Sequence, residues 1–151
     1  MTKRIILFFT FVLFAIWWGG FTFYATIVVP QGFKILGDHI KMGMITQSVT
    51  NYLNGIGSVV IFISAIVLIS NNNKAKSPVM QIGWEWYCLV LLQAALFYVH
   101  HLLSLRIQFI SPDTMLEKGF YQVHRVYLLI SSAVWFIIPF HFYKLNKAMN
   151  N

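Results

Sequence analysis

Apolar residues run through this chain in four long stretches, roughly Ile5 to Val29, Val49 to Ile69, Trp84 to Leu105 and Tyr121 to Tyr143, separated by short polar connections. Each stretch meets the need for about 20 mostly apolar residues to cross the hydrocarbon core of a bilayer. The pattern predicts an all-α integral membrane four-helix bundle, antiparallel and up-down, with both termini on the same side and one membrane domain over residues 1–151. Between Pro30 and Gln47, Gly32, Gly37 and Gly43 alternate with Lys34, Asp38, His39 and Lys41, and this mixture predicts an interfacial segment over 30–47 lying along the membrane surface.

The remaining connections are punctuated by turn formers. Asn71 to Pro78, reading NNNKAKSP, predicts a short loop that makes helices two and three antiparallel, and Ser111-Pro112-Asp113 predicts a second tight connection. The connections also carry the topology signal. Lys3, Arg4, Lys74, Lys76, Lys144 and Lys147 fall on one side, and Lys34, Lys41, Arg106, Lys118 and Arg125 on the other, where Asp38, Asp113 and Glu117 join them. Counting cations alone, as the positive-inside rule does, places both termini in the cytoplasm and the chain in the cell membrane, an inner membrane in a bacterium.

Polar residues within the stretches recur at helical spacing. Gln47, Asn51, Asn54 and Ser58 share one face of helix two; Trp86, Gln93, His100 and Ser104 share one of helix three; Tyr121, His124, Ser131 and Trp135 share one of helix four. On helix one, Ala15, Gly19, Thr22 and Thr26 form a small-residue seam of the kind that lets helices pack closely. His100 lies 12 positions before Pro112 and His124 lies 12 after it, so the two imidazoles are expected at similar depth. The stripes predict a polar pocket in the non-cytoplasmic half, lined by His100, His124, Asn51, Asn54, Gln93, Tyr121 and Ser131 and closed below by Trp17, Trp18 and Trp135. Interhelical hydrogen-bond glue is the competing explanation for the same stripes. At the opposite face, His141 and Glu85 read as a surface pair, and Trp84, Trp86 and Tyr143 as an aromatic belt.

Composition narrows the chemistry. The chain is 58% hydrophobic and only 10% charged, and its net charge of +7 comes from single Lys and Arg residues at segment ends, which excludes a nucleic-acid surface. Cys88 is the only cysteine, so an internal disulfide and a multi-cysteine metal site are excluded. A haem, quinone or copper site would draw on His100 and His124, yet haem needs its two ligands on opposite faces of the ring, and copper(I) favours sulfur donors. A general base such as His124 has no carboxylate at its depth to orient it, and no glycine-rich phosphate loop is present, so acyl and phosphoryl transfer find no support. A pocket for a small hydrophobic or amphipathic molecule, lined by aromatic residues with a few polar anchors, fits the composition best.

The run Trp17-Trp18-Gly19-Gly20-Phe21-Thr22-Phe23-Tyr24-Ala25, followed by Val28-Val29-Pro30, Leu36-Gly37, Gly43 and Asn54, resembles the start of the transmembrane protein 205-like family of four-helix membrane proteins. It is similar, more faintly, to the opening of copper-resistance D-type and anthrone-oxygenase-like membrane proteins. The first resemblance implies a four-helix integral membrane protein and carries over no catalytic residues. The expectation is therefore a small-molecule-binding protein or an accessory subunit of a homo-oligomer or larger membrane complex, with a redox or enzyme component using His100 and His124 as the alternative.

Overall fold

The computed structural model describes residues 2–71, 82–108 and 118–150. Every regular element among them is helical: α1 (Thr2–Phe23), a π-helical turn (Tyr24–Val28), α2 (Val29–Leu36), α3 (His39–Asn71), α4 (Trp84–Gln108) and α5 (Lys118–Asn150). The connections read from NNNKAKSP and from Ser111-Pro112-Asp113 lie outside the described residues. α1, the π turn and α2 run on as one span, so four helices are long and apolar enough to cross a membrane: Arg4–Leu36, Lys41–Ser70, Trp84–Leu105 and Gln122–Lys147.

Two prolines explain the irregularities of these long helices. Pro30 sits at the start of α2 inside the first span, with no N–H to donate and a ring that crowds the carbonyl four residues back. The turn immediately before it widens to π geometry, with the Val29 N–H donating to the Tyr24 carbonyl. Pro139 lies inside α5 and likewise leaves the carbonyl of Trp135 without its helical donor. The Trp18 indole on α1 supplies one instead, with Nε1 donating to that oxygen at 3.2 Å.

The segment 30–47, expected to lie along the membrane surface, has regular structure. It is helical on both sides of a two-residue corner. Gly37 takes the left-handed conformation (φ 58°) and closes α2 by donating its N–H to the Phe33 carbonyl, while Asp38 Oδ1 accepts the Lys41 N–H at 3.2 Å and starts α3. The mixture of glycine and charge thus supplies a C-cap and an N-cap lying side by side.

α4 packs most extensively on α5, α1 on α3, and α3 on α4. The buried core joins Trp17 of α1, Val60 and Ile61 of α3, Leu89 and Leu96 of α4, and Val134, Ile138 and Phe142 of α5. Aromatic rings close α1 against α5: Phe14 stacks on Phe142 with centroids 4.1 Å apart, and Trp18 stacks on Trp135 at 5.0 Å. Trp135 Nε1 donates to Thr22 Oγ1 at 2.9 Å, and Thr22 donates to the Trp18 carbonyl, which completes a clamp between the two helices.

Of the small-residue seam expected on helix one, Thr22 alone bonds a neighbouring helix. Ala15, Gly19 and Thr26 are exposed, and a Cβ at Gly19 would meet nothing within 4 Å. Close approach occurs at Gly57 of α3, where an added Cβ would lie 2.8 Å from Trp17 Nε1. Bulky α1 side chains meet a notch in α3, so the small residue belongs to the receiving helix.

Candidate functional site

Side chains of α4 donate to backbone carbonyls of α3 at matching seven-residue intervals. Trp86 Nε1 donates to the Ile61 carbonyl at 3.0 Å, Gln93 Nε2 to that of Asn54 at 2.8 Å, and His100 Nε2 lies 3.1 Å from that of Gln47. Each pair of residue numbers sums to 147, the arithmetic of two antiparallel helices held in one register. Seven residues are about two turns, so a heptad on α4 meets a heptad on α3 without drift. Carbonyl oxygens have a second lone pair beyond the helical bond, and lipid cannot occupy it. Since a carbonyl only accepts, His100 Nε2 carries the proton, and in the neutral ring Nδ1 is the nitrogen with a free lone pair.

The middle rung opens into a polar centre. Asn54 faces Tyr127 of α5, its Nδ2 donating to the phenol oxygen at 3.2 Å, with Oδ1 3.4 Å from the same hydroxyl. Ser131 donates to the Tyr127 carbonyl at 2.8 Å, and the Thr50 and Ser131 hydroxyls also approach the phenol. Tyr24, the first residue of the π turn, is buried within electrostatic reach of Tyr127. The His100 ring completes the group, 6.1 Å from the Tyr127 ring. Asn54 and Gln93 each lie within two residues of the middle of their spans, whose midpoints fall at 55.5 for Lys41–Ser70 and 94.5 for Trp84–Leu105.

Of the residues expected to line a pocket, the structure joins Asn54, Gln93, Ser131 and His100 around Tyr127. His124 is partly buried one turn before Tyr127 on α5. Asn51 is exposed: it sits some 60° around α3 from the buried face that carries Thr50, Asn54 and Gly57, so the even stripe drawn from spacing divides between interior and surface. The Tyr121 side chain lies outside the described residues. Trp17 belongs to the layer beneath, its Nε1 donating to the Leu53 carbonyl at 2.7 Å, beside the Trp18 and Trp135 clamp. Tyr127, Thr50 and Tyr24 escaped the sequence reading, although Tyr127 is four residues before Ser131 and was therefore available from the same face.

A second polar cluster corrects the surface pair expected of His141 and Glu85. His141 is 1% exposed and Ser64 0%, with His141 Nε2 2.8 Å from Ser64 Oγ. Ser64 Oγ lies 2.6 Å from the Ile61 carbonyl. Glu85, 5% exposed, bonds Lys144 Nζ at 3.0 Å, and that ammonium also stands 5.7 Å from the centre of the Trp84 ring. Trp84 and Tyr143 are exposed as an aromatic belt requires, whereas Trp86 is an interhelical donor. Burial follows from the packing of α5 against α3 at Ser64, which periodicity on one helix does not reveal.

A depression of about 800 Å³ lies elsewhere, between Arg4, Ile5, Phe8 and Phe9 at the far end of α1 from Tyr24, and contains none of these buried polar groups. Among the described residues no group of three or more His, Cys, Asp and Glu side chains is placed to hold a metal ion. No protein-family model, curated protein or solved structure matches the chain.

Proposed function

We propose that this chain is a small multi-pass protein of the cell membrane, with both termini cytoplasmic, that binds the polar head of an amphipathic small molecule at the centre formed by Asn54, Gln93 and Tyr127. One observation carries the reading: buried polar side chains from every span, Tyr24, Asn54, Gln93, Tyr127 and Ser131, gather within helices otherwise built to face hydrocarbon, with Asn54 and Gln93 close to the middle of theirs. Polar groups within spans are expensive to bury, and besides joining helices by hydrogen bonds they line binding and transport pathways. The resemblance of helices one and two to the transmembrane protein 205-like family supports the same four-helix membrane class.

Native mass spectrometry of protein extracted gently from its own membrane, with an absorption spectrum on the same sample, tests this. The expected result is the chain carrying a small hydrophobic molecule that Asn54→Leu loses and Asn51→Leu keeps, because Asn51 faces outward. A bare wild-type chain, or equal loss in both variants, refutes the binding reading. A Soret band or stoichiometric copper would move the site to His100 and His124.

A further inference from the structure

Gln93 Oε1 and the Tyr24 phenol oxygen are buried without a hydrogen-bond partner, on side chains only 6% and 8% exposed. Such atoms cost free energy unless something fills them, and buried polar groups in native proteins nearly always have a partner. The amide of Gln93 has its donor end committed, since Nε2 bonds the Asn54 carbonyl at 2.8 Å. What remains is an acceptor, which an O–H or N–H brought from outside would satisfy. Nearby acceptor capacity on the protein is plentiful, and the neighbouring hydroxyl and amide donors are engaged, one N–H of Asn54 Nδ2 on Tyr127, Ser131 Oγ on the Tyr127 carbonyl and Thr50 Oγ1 on the Thr46 carbonyl, which leaves the Tyr24 O–H as a hydroxyl donor without a partner.

Depth settles the charge of the missing group. Asn54 and Gln93 stand about 2 Å from the middle of their spans, whereas lipid phosphates lie outside a core about 30 Å thick. The centre offers amides, phenols and hydroxyls, and among the described residues no buried Lys or Arg stands there to neutralise an anion. An ionic head is unsuited to that position.

Building on the binding reading above, we infer that the ligand presents an uncharged hydroxyl that donates a hydrogen bond to Gln93 Oε1, with the Tyr24 phenol as its second contact. The chemical class is a neutral hydrophobic alcohol or phenol, such as a reduced quinol, in preference to its oxidised carbonyl form or to a charged lipid. Tyr24 owes its place to the π turn forced by Pro30, so the first span contributes one wall of the site through its own irregularity.

The full chain in lipid nanodiscs is tested with two matched pairs of probes: a decyl-chain benzoquinol against its benzoquinone under anaerobic conditions, and dodecanol against its methyl ether. Retention is read above that of empty nanodiscs. The wild-type protein should hold each hydroxyl probe about tenfold more tightly than its partner, equivalent to about 1.4 kcal/mol. In Gln93→Leu the preference should fall to within about twofold. Tyr24→Phe, which keeps the ring, should reduce it about threefold. Tight quinol with poor alcohol binding narrows the class to phenols, and tight binding of both supports hydroxyls at large. Equal affinity within both pairs overturns the hydroxyl assignment while leaving binding intact, and retention of no probe overturns the binding reading with it. The wild-type ratio decides without any variant, so a Gln93→Leu chain that fails to fold does not protect the proposal.

Discussion

Trp18→Phe should destabilise the bundle, and the loss should largely disappear when Pro139 is also replaced by Ala. Because Pro139 has no N–H, the Trp135 carbonyl depends on the Trp18 indole at 3.2 Å. Removing that donor leaves a part-buried carbonyl unsatisfied, a cost of about 1–3 kcal/mol in soluble proteins and about 0.6 kcal/mol on average between membrane helices. The stacked pair Trp18 and Trp135, 5.0 Å apart, adds about 0.5–1.5 kcal/mol, of which a phenyl ring retains a part. Trp18→Phe should therefore cost about 1–2 kcal/mol. An alanine at 139 restores a backbone N–H that can reach the Trp135 carbonyl, so in that background only the stacking loss should remain. Unfolding in mixed micelles by titration with a denaturing detergent, followed by far-ultraviolet circular dichroism, gives the four free energies of the cycle. A coupling of at least about 0.6 kcal/mol is expected. Costs that add to within about 0.3 kcal/mol would show that the indole is not standing in for the missing proline N–H.

Gly57→Ala should cost about 1–3 kcal/mol in the same assay, because the new methyl lies 2.8 Å from Trp17 Nε1 and displaces that indole from the Leu53 carbonyl; Gly19→Ala, with no neighbour within 4 Å, should be neutral or stabilising, and equal costs would contradict the packing. Lys144→Met leaves the Glu85 carboxylate, 7% exposed, without its ammonium and should lower stability more than Lys41→Met, whose pair with Asp38 is largely in solvent. A larger loss for Lys41→Met in matched melts would reverse that assignment.

The four helices long and apolar enough to cross a membrane were legible because hydrophobic length is a local property, and a helix satisfies its own backbone within such a stretch. Heptad spacing likewise announced one face of α4 before any partner was known, and Trp86, Gln93 and His100 all use it. What spacing cannot contain is the partner's orientation. Asn51 and Asn54 are three residues apart and chemically identical, yet one is exposed and the other buried, because the direction of the neighbouring helices decides which edge of a stripe is covered. The same holds for His141, whose burial against Ser64 joins residues 77 positions apart. Trp18 completes the contrast: its indole answers a defect created by Pro139, on a helix more than a hundred residues away. The chain's local chemistry determined that there would be four apolar helices with polar stripes, and tertiary packing alone decided which polar atoms found partners and which, like Gln93 Oε1, were left facing inward without one.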